Sequence, residues 1–167
     1  MYENLGDIPN LSRIMALMEE HNQYELTLPC EELKCMKERA QYYASKSDNA
    51  KAKEWYLKAT AIAEGEERMQ VDEEYGTFLA TIGEYTSAAE YTHMAANLKK
   101  DAEGETEAYA TLMYKTGMYS YFGKQYQQAV DCYEQALESF QHRHTRTARA
   151  NRAKCLKGMG NSYSGLK

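Results

Sequence analysis

The sequence predicts an all-α chain, a stack of antiparallel helix hairpins, and three observations carry that prediction. The stretch 117–140, GMYSYFGKQYQQAVDCYEQALESF, holds the spacing Tyr126-x-x-Ala129-x-x-x-Tyr133-x-x-Ala136 behind two glycines, Gly117 and Gly123. Forty-one residues upstream stands Tyr85-x-x-Ala88-x-x-x-Thr92-x-x-Ala95, with Gly76 in the register of Gly117 and Gly83 one residue off Gly123. Third, 167 residues with 43% hydrophobic content and two prolines suit one folded, mostly helical domain. A period between 20 and 50 residues is the mark of a stacked array rather than a single globular core.

The spacing has a steric meaning. Ala129 and Ala136 lie two helical turns apart on one stripe, with the Tyr133 ring between them on the same face. Two helices can approach closely at the alanines while the ring fills the space beside them. Gly117 plays the matching part on the preceding helix, and Gly123 falls where one helix ends and the next begins.

These positions resemble the tetratricopeptide repeat (TPR), a helix-turn-helix unit with small residues at set places in both helices. Gly117, Tyr126, Ala129, Tyr133 and Ala136 carry the pattern in one unit; Gly76, Gly83, Tyr85, Ala88 and Ala95 carry it in another. Thr116 stands where the family prefers Leu, Thr92 replaces an aromatic, and the 41-residue period exceeds the usual ~34. Elongated units of this kind are similar to those of Rap-type bacterial peptide receptors and kinesin light chains. The resemblance implies a TPR-like α-solenoid with a right-handed superhelical course. It covers roughly residues 29–167 and speaks to fold more than to function.

In chain order, 1–28 is expected to hold an N-terminal helix starting near Pro9, whose Leu11, Ile14, Met15, Leu17 and Met18 would form a lid on the first hairpin. Hairpins follow at 29–64, 67–100 and 103–141. The first begins at Pro29, with Glu31 and Glu32 in its opening turn against the helix dipole. Asp48 or Ser47 caps its second helix, in which Trp55 is a core ring with its N–H near solvent. Ala40, Ala52, Tyr56 and Ala59 repeat the small and aromatic positions 36 residues ahead of Gly76, Ala88, Thr92 and Ala95. Gly160 lies 43 residues after Gly117, so 145–166 reads as a capping helix.

Composition narrows the function classes. Fifteen tyrosines against three phenylalanines fit helix seams that stay partly wet. No apolar run reaches the ~18 residues of a membrane span, and the acidic start MYENLGDIPN lacks a signal-like apolar core, so a cytoplasmic location is expected. Cys30, Cys35, Cys132 and Cys155 form no CxxC pair and no zinc spacing with histidine; Cys30 and Cys35, five apart, lie too far round a helix for a clip, so reduced structural thiols are expected, with a disulfide as the lesser reading. His21, His93, His142 and His144 belong to no nucleophile or metal signature, and no phosphate loop is present. The expectation is therefore no catalytic residue, no metal and no cofactor.

Charge is uneven along the chain. Residues 139–167 carry seven cations and no carboxylate, a net +7, while 1–138 carry −12. Arg143, Arg146, Arg149 and Arg152 recur every three residues and spread into a basic flank. Three readings stand: a solvated helix complementing the acidic body of this chain or a second copy, a site for an acidic protein or peptide, and nucleic acid. Nucleic acid is the weakest, because the whole chain has a pI near 5.5.

In the family that the repeats resemble, the first helix of each hairpin lines the concave surface. Matching register places Lys34, Lys37 and Gln41, then Glu73, Thr77 and Ala80, then Tyr114, Met118 and Tyr121, then Lys154, Lys157 and Asn161 there. The string Lys157-x-x-Gly160-Asn161 resembles part of the carboxylate clamp with which some members hold a C-terminal carboxylate. The implied function is a protein or peptide interaction scaffold. The alternatives are a Rap-like peptide-responsive regulator and a self-assembling unit whose C-terminal helix is covered by another copy.

Overall fold

Three left-handed residues, Ser47 (φ 59°), Gly83 (φ 83°) and Lys124 (φ 61°), mark the turns of three helix hairpins. In the computed structural model, which describes residues 8–167 and side chains from residue 11 onward, the helices are α1 (Ile8–Glu25), α2 (Leu33–Ser45), α3 (Asn49–Ile62), α4 (Gly65–Thr81), α5 (Tyr85–Glu103), α6 (Glu107–Phe122), α7 (Tyr126–Gln141) and α8 (Arg146–Gly165). The acidic stretch 1–7 lies outside the described residues. No strand occurs among the described residues, and no helix there is long and apolar enough to cross a membrane.

All three turns close alike. The amide after the left-handed residue donates back five residues: Asp48 to Tyr43, Glu84 to Leu79 and Gln125 to Ser120, at 2.8–2.9 Å. The left-handed amide itself donates to Ala44, Ala80 or Tyr121 at 3.0–3.1 Å. This paired bonding satisfies carbonyls that the helix end would leave orphaned. Gly83 is thus the partner of Lys124, 41 residues on, and its offset from Gly123 has no structural meaning. Asp48, Thr106 and Thr145 cap the helices that follow them by accepting the amides of Lys51, Tyr109 and Ala148.

The small residues seat the seams. Ala40, Ala52, Ala59, Ala88, Ala95, Ala129 and Ala136 are all fully buried. A side chain added at Gly76 would meet Thr92 Oγ1 at 2.5 Å and the Ala88 carbonyl at 3.1 Å. One added at Gly117 would meet the Tyr133 ring at 3.0 Å and the Ala129 carbonyl at 3.2 Å. Tyr133 is clamped from both sides, because Gly158 of α8 abuts the same ring. Gly158 and Gly160 both stand in CLKGMG, and it is Gly158, not the Gly160 that repeat register selects, that meets the ring.

The core runs through the stack in linked clusters. Tyr56 of α3 stacks on Tyr75 of α4 at 5.1 Å between ring centroids and lies 5.4 Å from Phe78, which ties the first hairpin to the second. Phe140, Met113, Leu112 and Tyr109 join α6 and α7 to Ala148 and Cys155 of α8. Trp55 is half-buried, with Arg39 and Lys58 over its ring at 4.8 and 4.2 Å.

The N-terminal end departs from expectation. α2 starts at Leu33, so Glu31 and Glu32 precede its first turn. A disulfide joins Cys30 to Cys35 with Cα atoms 5.8 Å apart. The expectation of reduced thiols assumed that both cysteines ride one helix; Cys30 instead lies in the connection before α2, free to reach back. Arg39, buried in α2, donates to the carbonyls of Glu25 and Leu28 and so fixes the same connection. The expected lid does not form: Leu11, Ile14, Met15, Leu17 and Met18 are 53–62% exposed. α1 meets α2 through Glu19, which binds Lys46 and accepts from the Tyr42 hydroxyl at 2.7 Å. Its N-terminal half carries the apolar residues past that contact.

Candidate partner-binding face

Successive first helices are laced together by charge. Lys37 of α2 pairs with Glu74 of α4 at 2.8 Å, and Gln41 donates to the same carboxylate at 3.4 Å. Glu73, one residue away, pairs with Lys115 of α6 at 2.6 Å. These pairs are partly exposed, so each contributes little stability; their effect is to fix the register of three helices on one face.

Between α2 and α4 the face is cleft. One recess of about 490 Å³ has Tyr56 and Phe78 among its walls, with Gln41, Gln70 and Thr77 beside them. A second, of about 300 Å³, shares Gln41 and Gln70 and continues along Lys34, Lys37 and Glu67. The Tyr56 ring from α3 and the Phe78 ring of α4 therefore lie under a rim of amides, a hydroxyl and ion-paired charges. Burial raises the Tyr56 hydroxyl pKa and pushes that of Tyr75, stacked beside it, up to about 12, so these rings stay neutral.

The structure gathers Lys34, Lys37, Gln41 and Thr77 around this double recess. Tyr114, Met118 and Tyr121 are half-buried on α6 and partly engaged in packing. Tyr114 lies 5.9 Å from Tyr133, and Tyr121 lies 5.7 Å from Tyr126. Lys154, Lys157 and Asn161 are exposed on α8. Gln70, Glu74 and Thr81 line the recess without having been singled out from sequence. They sit seven before, three before and four after Thr77, so the helical stripe held the signal.

The basic flank divides. Arg143 donates to the carbonyls of Ser139 and Glu105 at 3.1 and 2.6 Å, and Arg152 to that of Gln141 at 3.1 Å, pinning the α7–α8 corner. Arg146 and Arg149 are exposed. Among the described residues, no cation beyond residue 142 forms an ion pair with a carboxylate, so the described part of the acidic body does not complement the flank within the chain. The remaining cysteines are buried thiols, and burial pushes Cys132 up to about 12 and Cys155 to about 11. Neither offers a thiolate nucleophile near neutral pH.

Solved structures share the helical fold. The Sgt2 TPR domain from Aspergillus fumigatus matches with a TM-score of 0.52 at 16% identity, over 83% of this chain and 86% of that one. The fold is TPR-like. BtubC (BKLC) from P. vanneervenii matches with a TM-score of 0.57 at 17% identity, over 94% of this chain and 70% of that one. No protein-family model matches the sequence, and no curated protein matches it. At such identities the likeness is one of fold, and the side chains of the TPR-like face are this chain's own.

Proposed function

We propose that this TPR-like array is a binding rather than catalytic module, which seats an extended segment of a protein or peptide along α2, α4, α6 and α8. The observation that carries the reading is the double recess between α2 and α4, where buried rings meet a rim of side-chain amides. Gln41 and Gln70 can each donate to and accept from a peptide backbone, while Tyr56 and Phe78 take an apolar side chain. Glu67, Glu73 and Glu74 disfavour an anionic group at this end. An acidic part of the partner would run over Tyr114 and Tyr121 towards Lys154 and Asn161, where no carboxylate among the described residues pairs with the cations.

Selection from a library of random extended peptides, followed by titration of the enriched sequences, tests the reading. Thr77→Trp, which fills the recess, and Tyr121→Ala each lower affinity tenfold or more, or about 1.4 kcal/mol. Lys154→Ala weakens acidic peptides selectively. Equal affinities across wild type and all three variants contradict a groove-bound partner.

A further inference from the structure

The stripe on which each hairpin receives its second helix can be followed through the array. On α4 it comprises Met69, Asp72, Gly76 and Leu79, with Gly76 against α5. On α6 it comprises Ala110, Met113, Gly117 and Ser120, all buried, with Gly117 against α7. Forty-three residues on, the same stripe of α8 is Ala153, Leu156, Gly160 and Tyr163, and there it lies open. Leu156 and Tyr163 are 58% and 48% exposed, and a side chain added at Gly160 would meet nothing within 4 Å. A small-residue notch flanked by apolar side chains is the shape that receives a helix elsewhere in this molecule.

At the other end stands a helix with the opposite problem. Residues 8–18 of α1 run past the contact with α2 and expose Leu11, Ile14, Met15, Leu17 and Met18. Eleven helical residues span about 16 Å, which matches the stripe from Ala153 to Tyr163. Residues 8–18 carry Arg13 as their one charge, with the carboxylates Asp7 and Glu20 just beyond them on either side, while Arg149 and Lys157 flank the notch within a segment of net +7. Unbranched methionines adapt to a partner groove that their own sequence does not match in detail.

We propose that the α1 arm of one copy docks into the open α8 notch of the next, packing there as α5 packs on α4 and α7 on α6. The contact is head-to-tail: each copy offers one arm and one notch, so association does not close at two and grows with concentration. The residues that test the peptide-binding reading, Thr77, Tyr121 and Lys154, lie outside the arm and the notch, so the two proposals fail separately.

Sedimentation velocity of the 167-residue chain over about 10 to 500 µM, where contacts of a few apolar side chains register, provides the test. Average mass rises with concentration and passes that of a dimer. Met15→Glu and Leu156→Glu each abolish the rise while the far-ultraviolet helical signal is unchanged, since both positions are exposed. An equimolar mixture of the two variants forms a dimer and nothing larger, because only one intact arm and one intact notch remain to meet. Should either glutamate lower helicity, Met15→Gln and Leu156→Gln replace it. A wild type that stays monomeric overturns the proposal, as does a Leu156→Glu chain that associates like wild type through paired α1 arms. A mixture that shows no dimer overturns it too.

Discussion

Lys124 and Ser47 hold a left-handed backbone that glycine adopts without strain, and Gly83 occupies the equivalent place. Replacing either non-glycine residue by glycine is expected to stabilise its turn by up to about 1 kcal/mol, and Gly83→Ala to cost about as much. Urea denaturation of the three variants measures this. The same turns show what the sequence hid. Gly83 and Gly123 looked like one feature slipped by a residue because Lys124 gives no sign of its conformation. A second residue-scale case is Asp72, fully buried and bound by Arg68 Nε at 2.9 Å to both carboxylate oxygens. Burial raises its pKa while the guanidinium opposes the rise, so the folded state bears a cost for the ionised form above the carboxylate range. That cost is relieved as pH falls and Asp72 takes up a proton. Arg68→Met should therefore cost about 2–3 kcal/mol at pH 7 and less towards pH 4. Adding Asp72→Leu should restore most of the loss, because the matching positions on α6 and α8 are Met113 and Leu156. Thermal unfolding across pH checks the sign.

At the scale of elements, the three hairpins were legible because close approach admits only small side chains at a few positions, and Ala88, Ala95, Ala129 and Ala136 recur where that approach occurs. The ends of the array were less legible. An amphipathic N-terminal helix predicts burial of its apolar side, yet pattern alone does not say against what, and α1 leaves that side open. The start of α2 was displaced by contacts that spacing does not reveal, the Cys30–Cys35 bond and the reach of Arg39 back to Leu28. Reduction of that disulfide should loosen the 26–32 connection by about 2 kcal/mol, as expected for a short closed loop. The remaining hairpins should keep their stability, since stacked repeats depend on their neighbours alone. Limited proteolysis with and without reductant would show new cleavage confined to residues 26–32; cleavage throughout the chain would contradict this local role. The candidate face was half legible. Its stripe followed from register, but Tyr56 reaches the recess from a second helix, which first-helix register cannot predict.

For the whole molecule, the account rests on one device, used twice and left open once: a glycine on the first helix of a hairpin that lets the second helix close in. It is filled by α5 at Gly76, by α7 at Gly117, and it stands open at Gly160. The Tyr133 ring cannot retreat from Gly117 because Gly158 stands behind it. The most direct measurement is the unfolding free energy of Gly76→Ala, Gly117→Ala and Gly160→Ala in dilute solution. Overpacking should outweigh the gain in helix propensity at the first two, which lose about 1–2 kcal/mol, while the third gains up to about 1 kcal/mol. Equal losses at all three, or none at Gly76 and Gly117, would contradict the account.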